Sequence, residues 1–148
     1  MAETFPQLLQ ERAAEYGDTR IALREKYHGI WASVTWAVAE QHVRHFALGL
    51  VSLGLTPQDT VAIIGDNRPE WIYSELAAQA AGAKSIGIYQ DAVVREMIYI
   101  IPHAQVKFIV VEDQEQVDKV LEMWDELKET VHRVIYYDPK GLRNYTEE

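Results

Sequence analysis

Apolar residues fall into two alternating rhythms along this chain, and the rhythm changes near residue 59. Phe5, Leu8, Leu9, Ala13 and Tyr16 recur at helical spacing ahead of Gly17, which predicts a helix over Phe5 to Tyr16 ending at a glycine C-cap. Two short strand-like runs follow, Ile21 to Arg24 and Ile30 to Val34, and the Tyr27-His28-Gly29 turn between them predicts a hairpin. Ala39, Val43, Phe46, Ala47, Leu50 and Leu53 then mark a helix from about Trp36 to Leu53, with Thr35 as its capping candidate and Gly54 as its stop.

From residue 59 onward short branched apolar runs alternate with helical stripes. Val61-Ala62-Ile63-Ile64 reads as a strand buried on both faces, as a parallel sheet covered by helices requires. Pro69 and Glu70 suit the first turn of a helix that continues through Ile72, Leu76 and Ala80 and stops at Gly82. Ser85 to Tyr89 is the next strand. Asp91 is the expected cap of a helix from about Ala92 to Ile101, with Pro102 as its stop. Phe108 to Val111 forms a further buried strand, and one helix is expected from Gln114 to Glu129, with Val117, Val120, Leu121, Trp124 and Leu127 inward. Val134 to Tyr137 closes the series before an Asp138-Pro139-Lys140-Gly141 turn. The fold class is therefore α/β: an open, largely parallel sheet flanked by helices, preceded by a helix and a short hairpin.

Length and charge narrow the picture. With 148 residues there is room for one domain or part of one, and no Gly/Ser linker marks an internal boundary. The 23 acidic and 14 basic residues give a net charge of -9, which handicaps nucleic-acid and anionic-membrane roles unless a local basic patch exists. No nucleic-acid partner is expected. The absence of cysteine removes disulfide, thiolate and cysteine–metal chemistry, and is compatible with a cytoplasmic setting. No apolar run is long enough to span a bilayer, and the acidic amphipathic start does not resemble a signal peptide.

Candidate chemistry is sparse. Neither a G-x-G-x-x-G nor a G-x-x-x-x-G-K-[ST] string occurs, and Gly82 and Gly87 are too far apart to cradle a phosphate. The Gly65-Asp66-Asn67 turn lies between a strand and a helix, where a ligand can sit in an α/β fold, but a tight turn with a polar cap is the stronger reading. His28, His42, His45, His103 and His132 form no metal motif; His42 and His45 share a helix with one acidic neighbour, Glu40. His103, after Pro102, reads as a C-terminal helix cap rather than a general base. Ser33, Ser52, Ser74 and Ser85 lack a nucleophile elbow and are read as structural or surface groups. The carboxylates between Glu112 and Glu129 read as a solvated helix face. Trp31, Trp36, Trp71, Trp124 and the tyrosines are expected to pack in the core, and Arg68 to pair with a carboxylate rather than to bind an anion. No catalytic, cofactor-binding or metal residue is assigned.

Several segments carry a resemblance: Gly65-Asp66-Asn67-Arg68-Pro69-Glu70-Trp71, Glu75 to Ala83, Ile86-Gly87-Ile88-Tyr89, Trp36 with Ala39-Glu40, Ala47 to Leu55, Val110 to Val120, Val134 to Asp138, and Gly141-Leu142-Arg143. Together they resemble the N-terminal region of long-chain fatty-acid–CoA ligases, in the AMP-binding, adenylate-forming superfamily. The resemblance implies a parent enzyme that uses ATP and magnesium to convert a fatty carboxylate to an acyl-adenylate, then transfers the acyl group to coenzyme A. It implies that residues 1–148 are the front of the large AMP-binding domain. The family's Pro-Lys-Gly phosphate loop, its Tyr-Gly-x-Thr-Glu segment, its ribose-binding aspartate and its C-terminal lysine would then lie beyond Glu148. Asn67 and Arg68 would be orienting residues, Trp71 a packing anchor, and Gly82 and Gly87 points of close packing. No cofactor is expected in the chain itself. The expected partners are the remainder of the parent enzyme and a homodimer through surface uncovered by truncation, with peripheral membrane association of the full-length enzyme compatible with this picture. Two alternatives stand beside it: a free-standing interaction module derived from the ligase fold, and a small nucleotide-binding α/β protein.

Overall fold

A computed structural model describes residues 2–145. It divides into two compact units interleaved in sequence, residues 1–57 with 67–83, and residues 58–66 with 84–148.

The first unit is helical with a hairpin. Its first helix, α1 (Phe5–Tyr16), starts in a reciprocal capping box in which the Thr4 side chain accepts the Gln7 N–H and Gln7 returns to the Thr4 N–H. The hairpin pairs β1 (Ile21–Tyr27) with β2 (Ile30–Thr35). It turns on His28 and Gly29 alone, at φ of 48° and 82°, the doubly left-handed geometry that matches strand twist and favours glycine. Both strands run further than the sequence pattern indicates: β1 reaches Tyr27 because a two-residue turn keeps the ladder paired to its end, and β2 reaches Thr35, which pairs with Ile21 at the open end. Next, α2 (Trp36–Ser52) is capped by the Thr35 hydroxyl on the Val38 N–H, and α3 (Pro69–Ala80) begins at its proline. α2 packs on α1 and α3, burying Ala39, Val43, Ala47 and Leu50 at helical spacing. Full burial of Leu50 alone is worth about 1.5–3 kcal/mol.

The second unit holds four parallel strands, β3 (Thr60–Ile64), β4 (Lys84–Ile88), β5 (Val106–Val111) and β6 (Arg133–Tyr136), in the order β4-β3-β5-β6. The strand that comes first in sequence therefore lies inside the sheet. All five residues of β3 are buried, which accounts for its unbroken apolar run. A register slip between Thr60 and Val61 leaves Lys107 as the extra residue of β5, and its ammonium reaches Asp59 at 3.0 Å. One sheet face, with Ala62, Ile64, Ile88, Ile109 and Val111, meets Met97 and Ile101 of α4 (Val94–His103), Val120 of α5 (Gln114–Glu122), and Leu127 of α6 (Trp124–Leu127).

Three expectations are corrected here. Asp91 does not cap α4: the Ala92 N–H bonds the Tyr89 carbonyl in a turn, and the helix starts after Val93, whose carbonyl accepts the Glu96 and Met97 N–H groups. Pro102 does not stop that helix but sits within its last turn, where His103 is the final residue and Ala104 is the cap. The expected helix from Gln114 to Glu129 is broken at Met123, at φ −106° and ψ 16°. The break brings Met123, Leu127 and Val131 into the same core. Among the described residues no helix is long and apolar enough to cross a membrane.

Candidate functional site

In an open parallel sheet, ligands favour the crevice at the carboxyl ends of the strands where the chain reverses its direction of travel across the sheet. Here β3 leads to β4 on one side and the chain then crosses to β5 on the other, so the crevice falls between the ends of β3 and β5. Gly65 and Asp66 follow β3, Glu112 and Asp113 follow β5, and Tyr137 and Asp138 follow β6.

The strand ladder continues past the strand ends. Glu112 N–H bonds the Ile64 carbonyl at 3.0 Å, Tyr137 N–H the Val111 carbonyl at 3.2 Å, and Asp138 N–H the Glu112 carbonyl at 2.8 Å. Glu112 is thereby fixed in the crevice, and its Oε2 accepts the Asp66 N–H at 2.6 Å. Gly65 is needed for this approach: a Cβ there would stand 2.6 Å from the Tyr137 hydroxyl oxygen and 2.8 Å from Glu112 Cβ. Its role is space, not unusual backbone geometry.

The neighbouring amides are committed in the same way. Asp113 caps α5 by accepting the Gln116 N–H at 3.4 Å, and Asp138 accepts the Lys140 N–H at 3.0 Å. An anion at a helix start or turn depends on free N–H groups and a positive local field. Here carboxylates hold those amides and make the crevice acidic, so the residues present do not fit a triphosphate.

In the helical unit, Arg68 lies against two carboxylates, with Nε 3.0 Å from Glu25 Oε1 and 3.8 Å from Glu70 Oε2. The pairing with Glu25, 43 positions away, ties the start of α3 to β1. Tyr73 on α3 is buried and stacks on His42 of α2, ring centroids 5.0 Å apart. Burial, followed by the negative charge of Glu70 and Glu25, pushes its phenol up to about 12. Residues of α1, α2 and α3 line a shallow pocket of about 190 Å³, among them Pro6, Leu9, Val43 and Ala47 and the ion-paired Glu40 and Arg44.

Of the residues singled out in the sequence, Asp66 and Glu112 meet, and Arg68 finds its carboxylate partner in Glu25, which no local pattern points to. Asn67 is exposed and Trp71 half-buried. His103 stacks on Tyr99 at 5.4 Å instead of capping α4. The hydroxyls of Ser74 and Ser52 bond the carbonyls of Glu70 and Gly49 within their own helices. The expectation that the large aromatics are core residues fails at Trp31, Tyr27, Tyr89 and Tyr99, which are 63%, 59%, 89% and 68% exposed. Sequence reasoning missed the meeting of Gly65, Glu112 and Tyr137, because those positions converge only through parallel strand pairing.

A parallel sheet with its first strand inside, accompanied by a hairpin and helices, defines the chain as an α/β protein. Residues 9–148 match the family model described as AMP-binding enzyme. The chain belongs to that family. Long-chain-fatty-acid–CoA ligase ACSBG1 of Homo sapiens is 32% identical over 148 residues, covering 98% of this chain and 20% of the relative. Its counterpart ACSBG2 of Xenopus laevis is 32% identical over 135 residues, 91% of this chain and 18% of the relative. The solved acetoacetyl-CoA synthetase from Streptomyces lividans shares the fold with a TM-score of 0.80 and 23% identity, over 92% of this chain and 23% of that one. The chain thus spans about a fifth of the length of the curated relatives it matches.

Proposed function

We propose that residues 1–148 form the front segment of the large AMP-binding domain of a long-chain fatty-acid–CoA ligase and supply scaffold rather than reacting groups. The whole enzyme would use ATP and magnesium to form an acyl-adenylate and pyrophosphate, then pass the acyl group to the thiol of coenzyme A. Such chemistry demands that a carboxylate be held in line with the α-phosphate and that charge on the leaving pyrophosphate be stabilised.

The observation that carries this reading is the crevice between β3 and β5, where Glu112 already accepts the Asp66 amide. A second carboxylate, Asp113, holds the Gln116 amide nearby on the same strand end. A phosphate placed there would meet like charge and find those two amides engaged. The match to about a fifth of the ligase relatives supports the assignment of the remaining chemistry to other parts of the enzyme. No reaction step is therefore routed through the described residues.

On this reading the principal partner is the rest of the same enzyme, in the cytoplasm. A homodimer of the isolated chain is expected through apolar groups that the rest of the enzyme would cover, among them Phe5, Leu48 and Val51, all exposed here. Sedimentation equilibrium would register it as a mass rising with concentration. The functional test is carboxylate-dependent ATP–pyrophosphate exchange, run on this chain and on the longest product of its reading frame. Exchange with long-chain acids is expected only from the longer product, and robust turnover by the 148-residue chain would sink the scaffold reading.

A further inference from the structure

The β1–β2 hairpin ends in a tip that bares three large side chains side by side. Tyr27, Ile30 and Trp31 are 59%, 74% and 63% exposed, and they crowd around the two-residue His28-Gly29 turn. Register pairs Tyr27 with Ile30 and Lys26 with Trp31. Because successive strand residues point to opposite faces, Tyr27 and Ile30 occupy one face of the ribbon while Trp31 occupies the other. A flat protein contact would cover one of these faces and leave the other wet. End-on insertion into a soft apolar medium covers both.

The charges around the tip reverse the balance of the molecule. The chain carries 23 acidic and 14 basic residues, yet Arg24 and Lys26 share the Trp31 face, with the Lys26 ammonium 5.9 Å from the Trp31 ring centroid. The one acidic residue of β1, Glu25, is on the other face and is engaged by Arg68 at 3.0 Å. Amphipathic aromatic rings beside cations suit the headgroup region of a bilayer, where the ring body is buried and the cation meets phosphate.

We propose that the β1–β2 hairpin is a membrane-interface anchor, inserting Tyr27, Ile30 and Trp31 among the headgroups of an anionic bilayer while Arg24 and Lys26 contact lipid phosphate. The basic tip is the local patch that lets a protein of net charge -9 approach such a surface. The inference rests on the hairpin alone and stands apart from the ligase reading, because its test involves neither ATP nor coenzyme A.

The test is flotation of the 148-residue chain with vesicles of phosphatidylcholine alone and of phosphatidylcholine and phosphatidylserine in equal parts. Binding is expected to the mixed vesicles and to weaken as salt is raised. Replacing Ile30→Ser with Trp31→Ser should lower the partition coefficient by at least about tenfold, since two apolar groups leave the interface. Replacing Arg24→Glu with Lys26→Glu should remove the preference for phosphatidylserine. Circular dichroism and thermal melting of each variant should match the parent, because Arg24, Lys26, Ile30 and Trp31 are all exposed. Failure of the parent chain to float with either vesicle, or floating undiminished by the serine pair, overturns the proposal. So does self-association that the serine pair abolishes in the absence of vesicle binding, which would assign the tip to a protein contact.

Discussion

Glu112 and Asp66, 46 positions apart, are joined by a hydrogen bond of 2.6 Å from the Asp66 amide to the Glu112 carboxylate, across the mouth of the crevice between β3 and β5. The contact ties the ends of two parallel strands and places a negative charge where a nucleotide-binding sheet would place free amides. Glu112→Ala should destabilise the chain by about 1–2 kcal/mol, as an amide loses a charged acceptor. Glu112→Gln retains an acceptor oxygen and should cost less than half as much. Urea midpoints at constant m-value would separate the two.

Gly65→Ala tests the packing behind that bond. The added methyl would stand 2.6 Å from the Tyr137 hydroxyl oxygen and 2.8 Å from Glu112 Cβ, so strand ends or side chains must shift. A loss of about 1–3 kcal/mol is expected, read from chemical denaturation. An unchanged midpoint would mean that the crevice is looser than these distances indicate.

Arg68 offers a test of coupling. Removing Glu25 and Arg68 singly and together, as Glu25→Gln and Arg68→Met, should give a coupling energy of about 0.5–1 kcal/mol, because the pair is half-buried and partly screened. A value of zero in low salt would reduce the pair to a surface coincidence.

Tyr73 links stability to alkaline pH. Its phenol titrates near 10 when unperturbed and near 12 in the fold, raised first by burial and then by Glu70 and Glu25. Between those values the unfolded chain releases a proton that the folded chain keeps, so stability is intact below pH 10 and falls as pH rises toward 12. Tyr73→Phe should flatten that decline, measured as urea midpoint against pH.

The cap of α5 can be tested without touching the core. Asp113 accepts the Gln116 N–H at 3.4 Å, and Asp113→Ala should cost about 1 kcal/mol while Asp113→Asn costs little. Thermal melts followed by circular dichroism would rank the three proteins.

Local rules made much of the fold legible. The end of α1 and the starts of α2 and α3 follow from residues within a turn of each end: Gly17, Thr35 and Pro69. The buried strands β3 and β5 announce themselves by unbroken branched runs. Misreadings arose where a local signal competed with packing. Pro102 lacks a donor and so reads as a stop, yet it sits within the last turn of α4, which closes past it through the Ala104 N–H on the Ile100 carbonyl. The helix broken at Met123 has no glycine or proline to mark it; the break serves the shared burial of Met123 and Leu127. Trp31 and Tyr27 read as core residues by their size, yet both are exposed, since side-chain size says nothing about which end of a hairpin a residue occupies.

By itself the sequence determined the element types, most of their ends, the α/β class and the acidic balance, because helix periodicity, caps and strand runs are properties of residues close together in the chain. Tertiary structure decided the order β4-β3-β5-β6 and with it the crevice, bringing Gly65, Glu112 and Tyr137 together from three separate strand ends. It also decided that Arg68 meets Glu25 and that the hairpin tip stands bare. Those outcomes depend on which strands pair and which faces are covered, and neither quantity is carried by the residues of any one element.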